Sequence, residues 1–237
     1  LRTRTNLGPY GMISAMPISD TGNAQSDLIS RTANLIGSVY DAAALMTSIE
    51  VAPREPPHFG RALQEAALEI AISEIGNGEN PALGNNRGDH IDRYRTATGE
   101  PGGAGAWCAA ACSYWFSVAA ACFVGSDLKA RRLRVPFPLS RGAKRLVRNM
   151  GTAGRFVDLP EPGCLIGWHN RNLGPRHWRG HVEIVCSYRE DHDELLTISA
   201  NANNRQLESG RRYSIVDRRT WSRGSWRVGL YRIASLA

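Results

Sequence analysis

Between Ala106 and Val124 the chain runs for 19 residues without a charged side chain. A membrane-spanning helix needs about 20 predominantly apolar residues, so this run comes close to one. Its content points elsewhere. Alanine, serine and cysteine dominate it, and Tyr114-Trp115 lies in its middle. A helix that is apolar all round belongs either to a membrane or to the centre of a protein core. The second placement is expected here, with no membrane span. Gly102-Gly103-Ala104-Gly105 precedes the run, so a glycine-rich turn delivers the helix start.

Other elements follow from periodicity. Ser26 can cap a helix over 27–50, where Leu28, Leu35, Val39, Ala42, Met46 and Ile49 recur at three- to four-residue spacing. Three prolines within 51–57 then make a stiff linker. The expected division is an N-terminal arm, helix and linker over 1–57 and a second domain over 58–237. A helix is expected over 60–75, with Leu63, Ala67, Ile70 and Ile75 as its stripe and Gly76 at its end. A short helical piece near Ile91–Arg95 and a basic surface helix over 139–150 follow. From residue 163 the pattern changes to strands: Cys164–Trp168, His181–Tyr188, Glu194–Ala200, Arg212–Val216 and Trp226–Ile233. Helices first and strands after predict an α+β domain with one largely antiparallel sheet.

At 42% hydrophobic and 22% charged residues, the composition is that of an ordinary globular chain. The formal net charge of +7 is carried almost wholly by arginine, for the lysines are Lys129 and Lys144 alone. Clusters at Arg131–Arg134, Arg141–Arg148 and Arg211–Arg219 favour an anionic partner: nucleic acid, a membrane surface or a cell-wall polymer. A solvated basic face is the plain alternative. No nucleic-acid-binding module is visible, so no specific nucleic acid is expected. The five cysteines, Cys108, Cys112, Cys122, Cys164 and Cys186, form no CxxC pair and no Cys/His ligand spacing, so no metal is expected. No basic-then-apolar leader opens the chain, whose first residue is Leu1. Export is then expected by lysis, by a dedicated machine, or before residue 1.

Three residues stand where thiol chemistry would need them. Cys108 falls in the first turn of the central helix, where unpaired N–H groups and the positive end of the helix dipole favour thiolate over thiol. The same N–H groups can hold an oxyanion after attack on a carbonyl. Cys112, one turn deeper, reads as core. His181 opens an alternating apolar strand and can serve as base, taking the thiol proton and returning it to a leaving amine. His169, His177 and His192 are rivals in loop-like sequence. A neighbouring strand ends at Ser199-Ala200-Asn201, where an asparagine or carboxylate can accept the imidazole N–H and fix its tautomer; Asn201 is the choice. Each has a structural alternative: a packed core thiol, a satisfied strand histidine, a turn asparagine.

At these places the chain resembles the CHAP (cysteine, histidine-dependent amidohydrolase/peptidase) family, kin of the NlpC-type cell-wall peptidases. The resemblance spans roughly residues 60–233. It rests on Glu74-Ile75-Gly76 before Asn80-Pro81, on Trp107-Cys108-Ala109 before Tyr114-Trp115-Phe116, and on Pro160-Glu161-Pro162-Gly163 before Trp168. Gly180-His181-Val182 and Ser199-Ala200-Asn201 complete it, in order and with 73 residues from Cys108 to His181 and 20 more to Asn201. Two departures stand out. Cys164 replaces the usual Asp after Pro-Gly, and Ser199 stands where some members carry a Glu that orients the histidine.

The resemblance implies a papain-like architecture and hydrolysis of an amide bond in peptidoglycan, either within a peptide or between glycan and peptide. No cofactor is required. Cys108 would be the nucleophile, His181 the base and Asn201 the orienter. Trp107 and Trp168 would wall the substrate groove, and Tyr94 would add an oxyanion donor. The anionic wall polymer suits the basic surface, and residues 1–57 suggest docking onto a larger assembly, such as a phage or phage-like particle. The protein would then act outside the cell, at the wall. Two alternatives remain: a CHAP-like binding or structural module with little turnover, and a thiol amidase acting on a small soluble conjugate.

Overall fold

A computed structural model describes residues 59–99, 105–123, 135–170, 172–202 and 205–237. The expected helix over 27–50, the linker and the boundary at 57 lie outside the described residues. Four α-helices come first: α1 (Phe59–Ser73), α2 (Asp89–Ala97), α3 (Cys108–Cys122) and α4 (Ala143–Ala153). The strands follow: β1 (Arg155–Val157), β2 (Leu165–His169), β3 (Gly180–Arg189), β4 (Glu194–Ser199), β5 (Arg205–Gln206), β6 (Arg212–Tyr213), β7 (Asp217–Trp221) and β8 (Leu230–Ser235). Six of them form one sheet in the order β1-β8-β2-β3-β4-β7, and every pairing is antiparallel. The expected α+β class and its antiparallel sheet are thus present.

The apolar run is a buried helix. Twelve of the 15 residues of α3 are buried. Among the described residues, no helix is long and apolar enough to cross a membrane. The alanines explain how α3 can be central, since side chains of this size let α1, α2 and β3 approach closely. Leu63, Ala67 and Ala71 of α1 and Leu146, Val147 and Met150 of α4 join α3 over one face of the sheet. There they meet Leu165, Val182, Ile184, Ile198 and Ala234. The other face carries a second cluster around Ile166, Trp168, Val185, Trp221 and Trp226.

Two expected strands shift. Arg212–Val216 is a two-residue strand followed by a bridge from Ile215 to Gly78, and the sheet edge is instead Asp217–Trp221. That segment is charged because an edge strand turns alternate residues to water. Trp226 lies in a 3-10 turn, Ser225–Arg227, and β8 begins only at Leu230.

Candidate active site

Cys108 is the first residue of α3, and two buried charges hold the turn that delivers it. Arg95, only 1% exposed, donates through Nη2 to the Gly105 carbonyl at 2.8 Å. Glu79 accepts the Trp107 indole N–H at 3.1 Å and the Ser214 backbone N–H at 3.2 Å. The first i→i−4 bond of α3 runs from the Ala111 N–H to the Trp107 carbonyl at 2.9 Å. The N–H of Cys108 lies ahead of that bond, so α3 does not consume it.

β3 carries the candidate base. His181 and Glu183 stand two residues apart and therefore share a face of the strand. Imidazole Nε2 lies 3.0 Å from Glu183 Oε1 and 3.3 Å from Ser199 Oγ. With Nε2 taken, Nδ1 is the nitrogen left for the Cys108 sulfur, which lines the same groove and lies close enough for the two groups to shift each other's pKa. Trp168 lies against the imidazole with ring centroids 6.3 Å apart and is itself stacked on Trp221 at 4.8 Å. Its indole N–H donates to the Trp226 carbonyl at 2.7 Å, so the ring cannot swing.

Glu183 is fully buried, and such a carboxylate stays ionised only with partners around it. It has four. Besides His181, the Thr197 hydroxyl donates to Oε2, the Trp221 indole N–H donates to Oε2 at 3.3 Å, and Arg219 Nη1 donates to Oε1 at 3.3 Å. Burial pushes its pKa up, but the His181 and Thr197 hydrogen bonds and the His181 and Arg219 charges outweigh it and bring the pKa to about 2. Burial likewise pulls His181 down, while the Cys108 thiolate and Glu183 raise it to about 10. For Cys108 burial acts upward, and the His181 charge and hydrogen bond, with the Val182 and Ala109 N–H groups, bring the thiol below its ordinary value. Cys112, one turn deeper and fully buried, is raised well above it by burial and by Cys108. The two thiols are therefore pushed in opposite directions, Cys108 toward thiolate and Cys112 toward thiol.

The structure brings Cys108 and His181 together and puts both on the wall of an open groove of about 360 Å3. Trp168, Asn201, Arg219 and Trp221 also line it. Asn201 sits there in the left-handed region, with φ of 61°, but the group that holds Nε2 is Glu183. The reason is strand geometry. Glu183 is the direct cross-strand partner of Ser199, so a carboxylate on β3 fills the space that a glutamate at 199 would have filled from β4. A buried glutamate within the apolar alternation of Val182, Ile184 and Val185 was the signal in the sequence for this orienter.

The expected groove residue Trp107 and the expected oxyanion donor Tyr94 lie elsewhere. Trp107 is fully buried, with its N–H given to Glu79. Tyr94 is fully buried between Trp107 and Tyr114, and its single hydroxyl proton goes to Glu74 Oε2 at 2.6 Å. Burial and that hydrogen bond raise its pKa far above the ordinary phenol value. Neither can face a substrate without abandoning a buried carboxylate. Of the rival histidines, His169 lines the groove, while His177 and His192 do not. Among the described residues no group of three His, Cys, Asp or Glu side chains could hold a metal ion. No family model, curated protein or solved structure matches the chain.

Proposed function

We propose that the chain is a cysteine peptidase or amidase of papain-like architecture that cuts an amide bond in peptidoglycan. The observation that carries this reading is the linear array Cys108–His181–Glu183, opening on a solvent-accessible groove. The order of elements supports the architecture: a nucleophile at the start of a buried helix, then a base on an antiparallel sheet. The motifs shared with the CHAP family, and an arginine-rich surface suited to an anionic wall polymer, support the substrate.

Chemically, the Cys108 thiolate attacks the amide carbonyl while the backbone N–H at the start of α3 receives the developing oxyanion. His181, charged before attack, gives its Nδ1 proton to the departing amine. The neutral ring then takes a proton from water, which attacks the thioester and releases the acyl group. Glu183 does not change protonation; it holds the tautomer and stabilises the imidazolium.

Purified peptidoglycan incubated with the protein should release new amine and carboxyl ends, identified by mass spectrometry, and Cys108→Ala should release none. Absence of release by the folded wild-type protein across several wall chemotypes would overturn the substrate assignment.

A further inference from the structure

Arg219 does more than neutralise Glu183. Its side chain is 41% exposed and lines the groove beside Cys108 and His181. Nη1 is tied to Glu183 Oε1 at 3.3 Å, and the guanidinium carbon sits 3.8 Å from the centre of the Trp221 ring. Among the described residues, this is the one hydrogen bond the guanidinium makes to protein. A guanidinium carries five N–H donors in a rigid plane, so the stacking leaves a fixed fork with donors to spare.

The charge lining the groove is one-sided. Among its described lining residues there is no Asp or Glu, while Arg219 and His181 are cationic groups on its wall. Glu183, the carboxylate in contact with both, is fully buried and already shared between them. A stacked, partly exposed guanidinium at the edge of such a groove is matched by a planar two-oxygen anion, which can take two parallel hydrogen bonds.

We infer that Arg219 is the binding site for a free carboxylate of the substrate, close to the amide that is cut. The inference rests on the hydrolase reading and deepens it by giving the substrate a required charge. Stem peptides carrying a free carboxylate near the scissile bond would be preferred over the same peptides with that group amidated.

Alkylation of Cys108 reads the site without any wall substrate. The thiolate sulfur bonds the methylene carbon and iodide leaves, whether the reagent is iodoacetate or the neutral iodoacetamide. The ratio of the two rates cancels any change that Arg219 makes in thiol reactivity through Glu183. In Arg219→Gln that ratio should fall about 10-fold or more, the scale of one charge-assisted hydrogen bond. In Arg218→Gln, which removes the same charge from the exposed, opposite side of β7, it should stay at the wild-type value. An unchanged ratio in Arg219→Gln, or an equal fall in both variants, would overturn the inference. The wild-type protein offers a second measurement: N-acetyl-alanine should protect Cys108 from iodoacetamide better than its carboxamide does, and equal protection would overturn it. Either result stands apart from release of peptidoglycan, so failure of this inference and failure of the hydrolase reading are separately visible.

Discussion

At the residue scale, the decisive group is a buried carboxylate in a strand. Cys108 and Glu183 together raise the His181 pKa, and His181 in turn brings Cys108 below its ordinary value. Replacing Glu183 with Gln should lower kcat/KM by about 100- to 10,000-fold, as expected when the orienting carboxylate of a triad becomes an amide. The same change should move the alkaline limb of the activity profile, set by His181 near pH 10, to lower pH. Asn201→Ala, which leaves the Glu183 bond intact, should cost far less; steady-state pH profiles of the two variants separate the roles. Linkage gives a third expectation. The Glu183 pKa is depressed on folding, so its contribution to stability is present above the unfolded value of 4.5 and is lost as pH falls through about 2. Urea titrations between those limits should show the wild type losing more stability than Glu183→Gln.

At the scale of elements, the site depends on how closely β2 and β3 pair. Gly180 precedes His181 and faces His169 across the ladder. A methyl group there would stand 2.4 Å from the Trp168 carbonyl and 3.1 Å from Lys144 Cγ. Gly180→Ala must therefore push the start of β3 away from β2, carrying His181 off Cys108. The expected result is a folded protein by circular dichroism with an iodoacetamide rate at Cys108 near that of a free thiol. The helices and most strands were legible in the sequence because their apolar periodicity is local: α1 was expected over 60–75 and runs over 59–73, and β4 was expected over 194–200 and runs over 194–199. β7 was not legible, because Arg218 and Thr220 are exposed and leave no apolar alternation to read. Cys108 and His181 were legible as a helix start and a strand start. Trp107 as a groove wall and Tyr94 as an oxyanion donor were not legible correctly, because the carboxylates that claim their polar atoms, Glu79 and Glu74, lie 28 and 20 residues away.

At the scale of the whole molecule, one glutamine ties the helical layer to the sheet. Gln64 of α1 is 1% exposed. Its Oε1 accepts from the Ser235 hydroxyl at 3.2 Å and from the backbone N–H groups of Leu236 and Ala237, while Nε2 donates to the Pro162 carbonyl at 3.4 Å. Gln64→Ala should destabilise the protein by about 1–3 kcal/mol, the cost of stranding buried polar groups, as measured by urea unfolding. The division of labour between layers has a further consequence, in time. The helical segment carries the sulfur, and the groups that make it reactive lie on β3, β4 and β7, the last of them Arg219 and Trp221. A ribosome therefore finishes the sulfur-bearing helix well before the residues that activate it. Until the later strands dock, Cys108 is an ordinary thiol, protonated at neutral pH. The nascent polypeptide is chemically quiet, because the contacts that shift the Cys108 pKa form only when β3 is in place.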